Sequence, residues 1–171
     1  MSEDSQGDAQ VAGDDIPLEE MISNPELIFG MVGPIGVDLN GVVNALINRL
    51  RYVNYNAVEI HITDYMETSK IDFVINKSSY YNKYLSLIEY ANRFRRVAKS
   101  DAAMAGLAVN RIRIERAKIS GSENNPALGT AFIVRQFKRP EEIELMRATY
   151  GRKIHPNFCL LKPIGKTRRD S

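Results

Sequence analysis

A candidate phosphate loop runs from Gly30 to Asn40, as GMVGPIGVDLN. Gly33, Pro34 and Gly36 follow the apolar stretch ELIFGMV and precede a stretch with helical spacing. A glycine-containing loop between a buried strand and a helix lets successive backbone N–H groups point inward. The helix start adds its positive dipole end, and the two together bind phosphate. Aligned from Gly33 with the pattern G-x-x-x-x-G-K-[ST], the chain has Asp38 in place of the second glycine. Leu39 stands where a lysine would hold the β- and γ-phosphates, and Asn40 where a hydroxyl would bind magnesium. The candidate nucleotide-binding segment is therefore Gly33, Pro34, Ile35, Gly36, Val37, Asp38, Leu39 and Asn40. Without the lysine, the charge that develops in phosphoryl transfer loses a main stabiliser, so no catalytic residue is assigned. Asp38 has two alternatives: it faces the ligand and repels phosphate, or it caps the helix by accepting from the Gly41 N–H. The same residues also suit a tight strand-to-helix turn with no ligand.

Cations elsewhere could contact phosphate. Between Arg93 and Lys118 lie eight bases (Arg93, Arg95, Arg96, Lys99, Arg111, Arg113, Arg116, Lys118) and two acids, Asp101 and Glu115. They form either a patch over phosphates or a solvated helix face. Arg135 and Arg139 flank the end of a strand, where open α/β sheets bind ligands. The possible phosphate contacts are thus Arg93, Arg95, Arg135 and Arg139, with Arg139 alternatively paired to Glu142 or Glu144. Asp64 could orient a substrate hydroxyl or cap the segment after it, and His61 suits a hydrogen-bonded place in a buried strand. Tyr80, Tyr81 and Tyr84 suit helix packing, with base stacking the other option. Cys159 suits a small core residue.

Elements to position these residues are legible from hydrophobic period. Residues 26–32 and 57–62 read as short strands, and 38–53 as a helix with Val42, Val43, Leu46, Ile47 and Leu50 on one stripe. The segment 65–77 fits no single template. Residues 79–97 read as a helix with Tyr80, Tyr84, Leu87, Ile88 and Ala91 on one face, and Ser100 or Asp101 can cap a further helix to about Lys118. After the loop SGSENNPALG, residues 130–135 read as a strand, Pro140 opens a helix that ends at Gly151, and 157–161 read as a last strand. Strands separated by helices predict right-handed crossovers and a mostly parallel sheet.

The chain has 171 residues, 44% hydrophobic and 26% charged, enough for one domain with a full core. Its net charge of +2 conceals an asymmetry. The first twenty residues hold seven acids and no Lys or Arg, which leaves 14 of the 21 acids against all 23 bases in the rest. That opening stretch is too poor in large apolar residues to fold alone. The expected organisation is an acidic disordered tail over 1–24, a domain over 25–162 and a basic tail over 163–171. No apolar run approaches the roughly 18–20 residues of a membrane span, and the acidic start does not resemble a secretory signal. A lone cysteine excludes an internal disulfide. The expected compartment is cytoplasmic.

Three stretches, ELIFGMVGPIGVDL, ANRFRRVAKSDAAMAGLAVNRIRIER and FIVRQFKRPEEIELMRATYG, occur in that order. Together they resemble the N-terminal P-loop-like domain of the anti-phage deoxycytidylate (dCTP) deaminases, over roughly residues 26 to 160. The resemblance implies an α/β, P-loop-like three-layer fold with a mostly parallel sheet flanked by helices. It also implies a deoxynucleotide ligand, a homo-oligomeric assembly, a regulatory RNA in some systems, and a zinc-dependent deaminase domain elsewhere. The chain departs from the family in one decisive respect. Zinc deaminases need H-x-E and P-C-x-x-C, but His61 is followed by Ile62-Thr63, His155 by Pro156-Asn157, and Cys159 is the sole cysteine. Zinc is therefore expected only in a separate or missing deaminase domain, with no metal or cofactor in this chain beyond a nucleotide ligand. Membrane partners are not expected. The functional expectation is a nucleotide-binding regulatory or assembly module of such a deaminase; the alternative is a small nucleoside or nucleotide kinase with a degenerate phosphate loop.

Overall fold

The structure is a computed structural model describing residues 24–33, 38–68, 71–151 and 154–158, the last five by their backbone. Strand β1 (Leu27–Val32) leads to helix α1 (Leu39–Tyr52) and strand β2 (Asn56–His61). A 3-10 turn follows over Ile62–Thr68, then helices α2 (Tyr80–Ala98) and α3 (Ala103–Ser120). Strand β3 (Thr130–Phe137), helix α4 (Pro140–Tyr150) and strand β4 (Ile154–Phe158) complete the order. The four strands form one sheet in the order β2-β3-β1-β4, and every pairing is parallel. The fold class is thus α/β.

The alternation of side chains along the strands sorts the core into two clusters. Phe29 and Met31 of β1, with Ala131 and Ile133 of β3, face α1, where Val43 and Leu50 are buried and Val42, Leu46 and Ile47 pack beside them. Ile28, Phe132 and Val134 face the other way, toward Tyr90 of α2, Met104, Ala108 and Ile112 of α3, and Ile143 and Met146 of α4. Crossovers of one handedness require this segregation. The path from β1 to β2 runs one way along the sheet, while those from β2 to β3 and from β3 to β4 run the other way, so their helices lie on the opposite face. At roughly 25 cal/mol per Å² of apolar surface removed from water, these two clusters are the main drive for folding.

Several sequence expectations shift. Helix α2 does not bury Tyr80 and Ile88, which are 89% and 43% exposed; its inward residues are Ser86, Tyr90 and Arg95, flanked by Leu87, Ala91 and Phe94. Polar residues take inward places because each has a partner there: the Ser86 hydroxyl accepts from the Asn76 N–H at 3.1 Å, and Arg95 meets Glu142. Helix α3 begins at Ala103 with Ala102 as its cap and no side-chain cap bond. Ser100 Oγ instead accepts from the Ala102 N–H at 3.3 Å, and the Asp101 carboxylate is taken by Arg139. The last strand spans Ile154–Phe158 rather than 157–161, and Cys159 lies outside the described residues. So do the acidic stretch 1–23 and the basic tail 163–171.

Strand β3 also runs two residues further than its apolar stretch predicts, through a bulge. Met31 pairs with Arg135 but Val32 pairs with Phe137, so Gln136 is the extra residue, at φ 77°. The bulge turns Phe137 back to the α2–α4 side, where its ring lies 3.3 Å from where a Cβ on Gly30 would stand. A side chain at Gly30 would press on that ring, which would have to give by a few tenths of an ångström.

Candidate functional site

In a sheet of this order, the connections from adjacent strands β1 and β3 depart in opposite directions. The crevice outside their carboxyl ends is where open α/β sheets receive ligands. Val32, Gly33 and the start of α1 lie at that edge, together with the end of β3 and the start of α4.

The α1 side comes first. Asp38 is the N-cap of α1, and its Oδ1 accepts from the Gly41 N–H at 3.0 Å. Of the two roles open to Asp38 in the sequence, capping is the one taken. Leu39, at the lysine position, is half-buried and packs against the α1-side core, 3.5 Å from where a Cβ on Gly33 would stand. Asn40, at the hydroxyl position, accepts through Oδ1 from Nη2 of Arg135 at 2.7 Å. Pro34, Ile35, Gly36 and Val37 lie outside the described residues.

Arg135 is 8% exposed and is the centre of a polar cluster beneath the first turn of α1. Its Nη1 donates to Oε1 of Glu59 at 2.5 Å and lies 3.1 Å from Nε2 of His61. That same His61 nitrogen is 2.9 Å from Glu59 Oε1, so it donates to Glu59 when protonated and accepts from Arg135 when bare. Residues 59, 61 and 135 share one face because strand side chains alternate with a period of two. Burial pushes the Glu59 carboxyl up, but the hydrogen bond from Arg135 and the charges of His61 and Arg135 outweigh it and hold it below the ordinary carboxylate value. Arg135 Nε is buried with no partner among the described residues.

The end of β3 supplies two more cations. Lys138 Nζ donates to the carbonyl of Gly33 at 3.2 Å, reaching from β3 across to the loop after β1. Arg139 pairs with Asp101 at the start of α3, and not with Glu142 or Glu144 as its spacing suggests. Glu142 is occupied otherwise. It is 0% exposed, and its Oε1 accepts from Arg95 Nη2 at 2.5 Å. Its Oε2 accepts from the backbone N–H groups of Lys138 and Arg139 at 2.8 and 3.2 Å. One carboxylate therefore ties α2 to the turn that carries both cations, and it sits at the positive end of α4. Arg95 lies inside this arrangement. Arg93 lies on the exposed side of α2, 4.0 Å from Asp72.

Beside this crevice a cleft opens between α2 and the 3-10 turn. One part, about 460 Å³, is lined by Thr63, Asp64, Ile75, Lys77, Tyr84 and Gln136 among others. A second part, about 290 Å³, shares Thr63, Tyr84, Leu87 and Gln136 and continues to Lys138 and Arg139. Tyr84 lines both parts of the cleft and Tyr80, though largely exposed, lines the larger part, whereas Tyr81 is exposed outside it. Glu59, Gln136 and Lys138 are not among the site residues expected from the sequence. Glu59 carried a signal, since an acid two residues before His61 in an otherwise apolar strand implies a partner on the same face. Gln136 carried none, because its place depends on the bulge.

Among the described residues no group of three His, Cys, Asp or Glu side chains could hold a metal ion, and no helix is long and apolar enough to cross a membrane. Compared with protein-family models, with curated proteins and with solved structures, the chain gives no match.

Proposed function

We propose that this chain binds a nucleotide through its phosphates at the carboxyl edge of the sheet and serves as a recognition or assembly module, not as a phosphotransferase. One observation carries the reading: Lys138 bridges from the end of β3 to Gly33 at the crevice where the crossovers of two adjacent strands diverge. Arg139 and the start of α1 border the same crevice, so cations and backbone donors converge on it. The resemblance to the P-loop-like domain of the anti-phage dCTP deaminases supports a deoxynucleotide as ligand. It also supports a separate deaminase domain as partner, within an oligomer, and control by RNA. The finer description of the fold as P-loop-like and three-layered belongs to this proposal too.

A kinase with a degenerate loop is the rival. Two observations disfavour it: Leu39 is half-buried against the α1-side core, and the Asn40 oxygen is held by Arg135. Neither residue is left to clamp a transferring phosphoryl group or its magnesium.

Calorimetric titration with a panel of deoxynucleoside triphosphates tests the proposal, together with transfer of labelled phosphate from ATP to nucleosides. The expected result is binding that weakens with salt and with Lys138→Ala, and no transfer. Affinity unchanged in Lys138→Ala would sink the site assignment. Magnesium-dependent transfer by the unmodified chain would replace the module with the kinase.

A further inference from the structure

Gln136 combines two unusual features at one place. Its backbone holds φ 77°, a conformation that costs a residue with a Cβ and persists only where the surroundings impose it. Its Oε1 is buried and has no hydrogen-bond partner among the described residues. Buried polar atoms are nearly always paired, so a strained residue with an unpaired amide oxygen at the wall of a cleft points to a partner that a ligand supplies. Gln136 lines both parts of the cleft, where Tyr84 and Leu87 give aromatic and apolar walls and Thr63 adds a hydroxyl.

We infer that this cleft receives a nucleobase, with its hydrogen-bonding edge read by the Gln136 carboxamide and its ring against Tyr84. A carboxamide offers an acceptor and a donor side by side, which matches the paired donor and acceptor on the edge of a base. An inorganic polyphosphate offers acceptors alone and would leave Oε1 unmatched. The cleft also has the volume for a ring: about 290 Å³ in the smaller part, which continues to Lys138 and Arg139. The inference rests on the phosphate reading above for where the rest of the ligand lies, but its test does not.

The probes are adenosine, cytidine, guanosine and uridine at millimolar concentration, and inorganic tripolyphosphate, each titrated into wild type, Gln136→Gly and Tyr84→Leu. Glycine adopts positive φ without steric cost, so Gln136→Gly removes the carboxamide without straining the turn. Should it nevertheless unfold, Gln136→Asn keeps a shorter amide on a residue that tolerates positive φ. The expected result is that at least one nucleoside binds wild type and binds Gln136→Gly about tenfold or more weakly, with tripolyphosphate unaffected by the change. Nucleoside binding that survives Gln136→Gly undiminished, or tripolyphosphate binding with no nucleoside binding at all, would overturn the base site; the second outcome leaves the phosphate reading standing. Nucleoside binding without tripolyphosphate binding would support the base site and overturn the phosphate reading instead.

Discussion

Replacing Glu142 tests how the site is built. Its carboxylate is 0% exposed and meets Arg95, itself 8% exposed, at 2.5 Å. Glu142→Leu leaves the Arg95 guanidinium buried without its counter-charge, which costs about 3–5 kcal/mol. Arg95→Met is milder, about 2 kcal/mol, because the stranded carboxylate keeps two backbone donors, Lys138 and Arg139. Once both ends are apolar no charge is stranded. The double variant Arg95→Met/Glu142→Leu should therefore lose about 2 kcal/mol and be more stable than Glu142→Leu alone. The N–H groups of Lys138 and Arg139 then lose their acceptor, which accounts for the loss that remains. For a domain of this size, a loss of about 4 kcal/mol lowers Tm by about 10 °C. The chain has no tryptophan, so urea unfolding followed by far-UV circular dichroism is the suitable assay. If the two single losses add in the double variant to within about 0.5 kcal/mol, the residues are not coupled and the argument fails.

Three further outcomes follow from the same geometry. A Cβ on Gly41 would stand 2.6 Å from Asp38 Oδ2, so Gly41→Ala displaces the cap of α1. Its usual helix gain of about 1 kcal/mol should be cancelled in wild type and recovered in an Asp38→Ala background; equal gains in both would refute the cap contact. Glu59 has a folded value held below its unfolded value near 4.5, so its contribution is present above that pH and lost as pH falls through the folded value. Glu59→Gln should flatten the acid limb of the stability curve below about pH 4.5, and an unaltered limb would contradict the Arg135–Glu59 pairing. Supplied with zinc and dCTP, the chain should release no uracil nucleotide, since neither histidine begins H-x-E and Cys159 is the sole cysteine; release in proportion to protein concentration would refute that reading.

Local periodicity in the sequence determined the order of strands and helices and the inward stripe of α1, since a period of two or of 3.6 requires only the chain itself. It also determined the proline opening and the glycine end of α4, and it offered Asp38 as a cap, because both partners lie within one helical turn. The inward face of α2 departs from its apolar stripe, since Ser86 and Arg95 turn inward for partners ten and 47 residues away. For Arg139 the sequence leaves a phosphate contact and a pairing with Glu142 or Glu144 both open, but the α2–α3 turn brings Asp101 to it. The cluster of Asn40, Glu59, His61 and Arg135 draws on three elements and exists only where β3 lies beside β2 under the start of α1. Gln136 is invisible for the same reason: a single extra residue in β3, seen only in its register with β1, decides which way its carboxamide turns. Composition and period settle which residues are buried in kind, but the pairing of buried polar groups is settled by strand order, which no local pattern encodes.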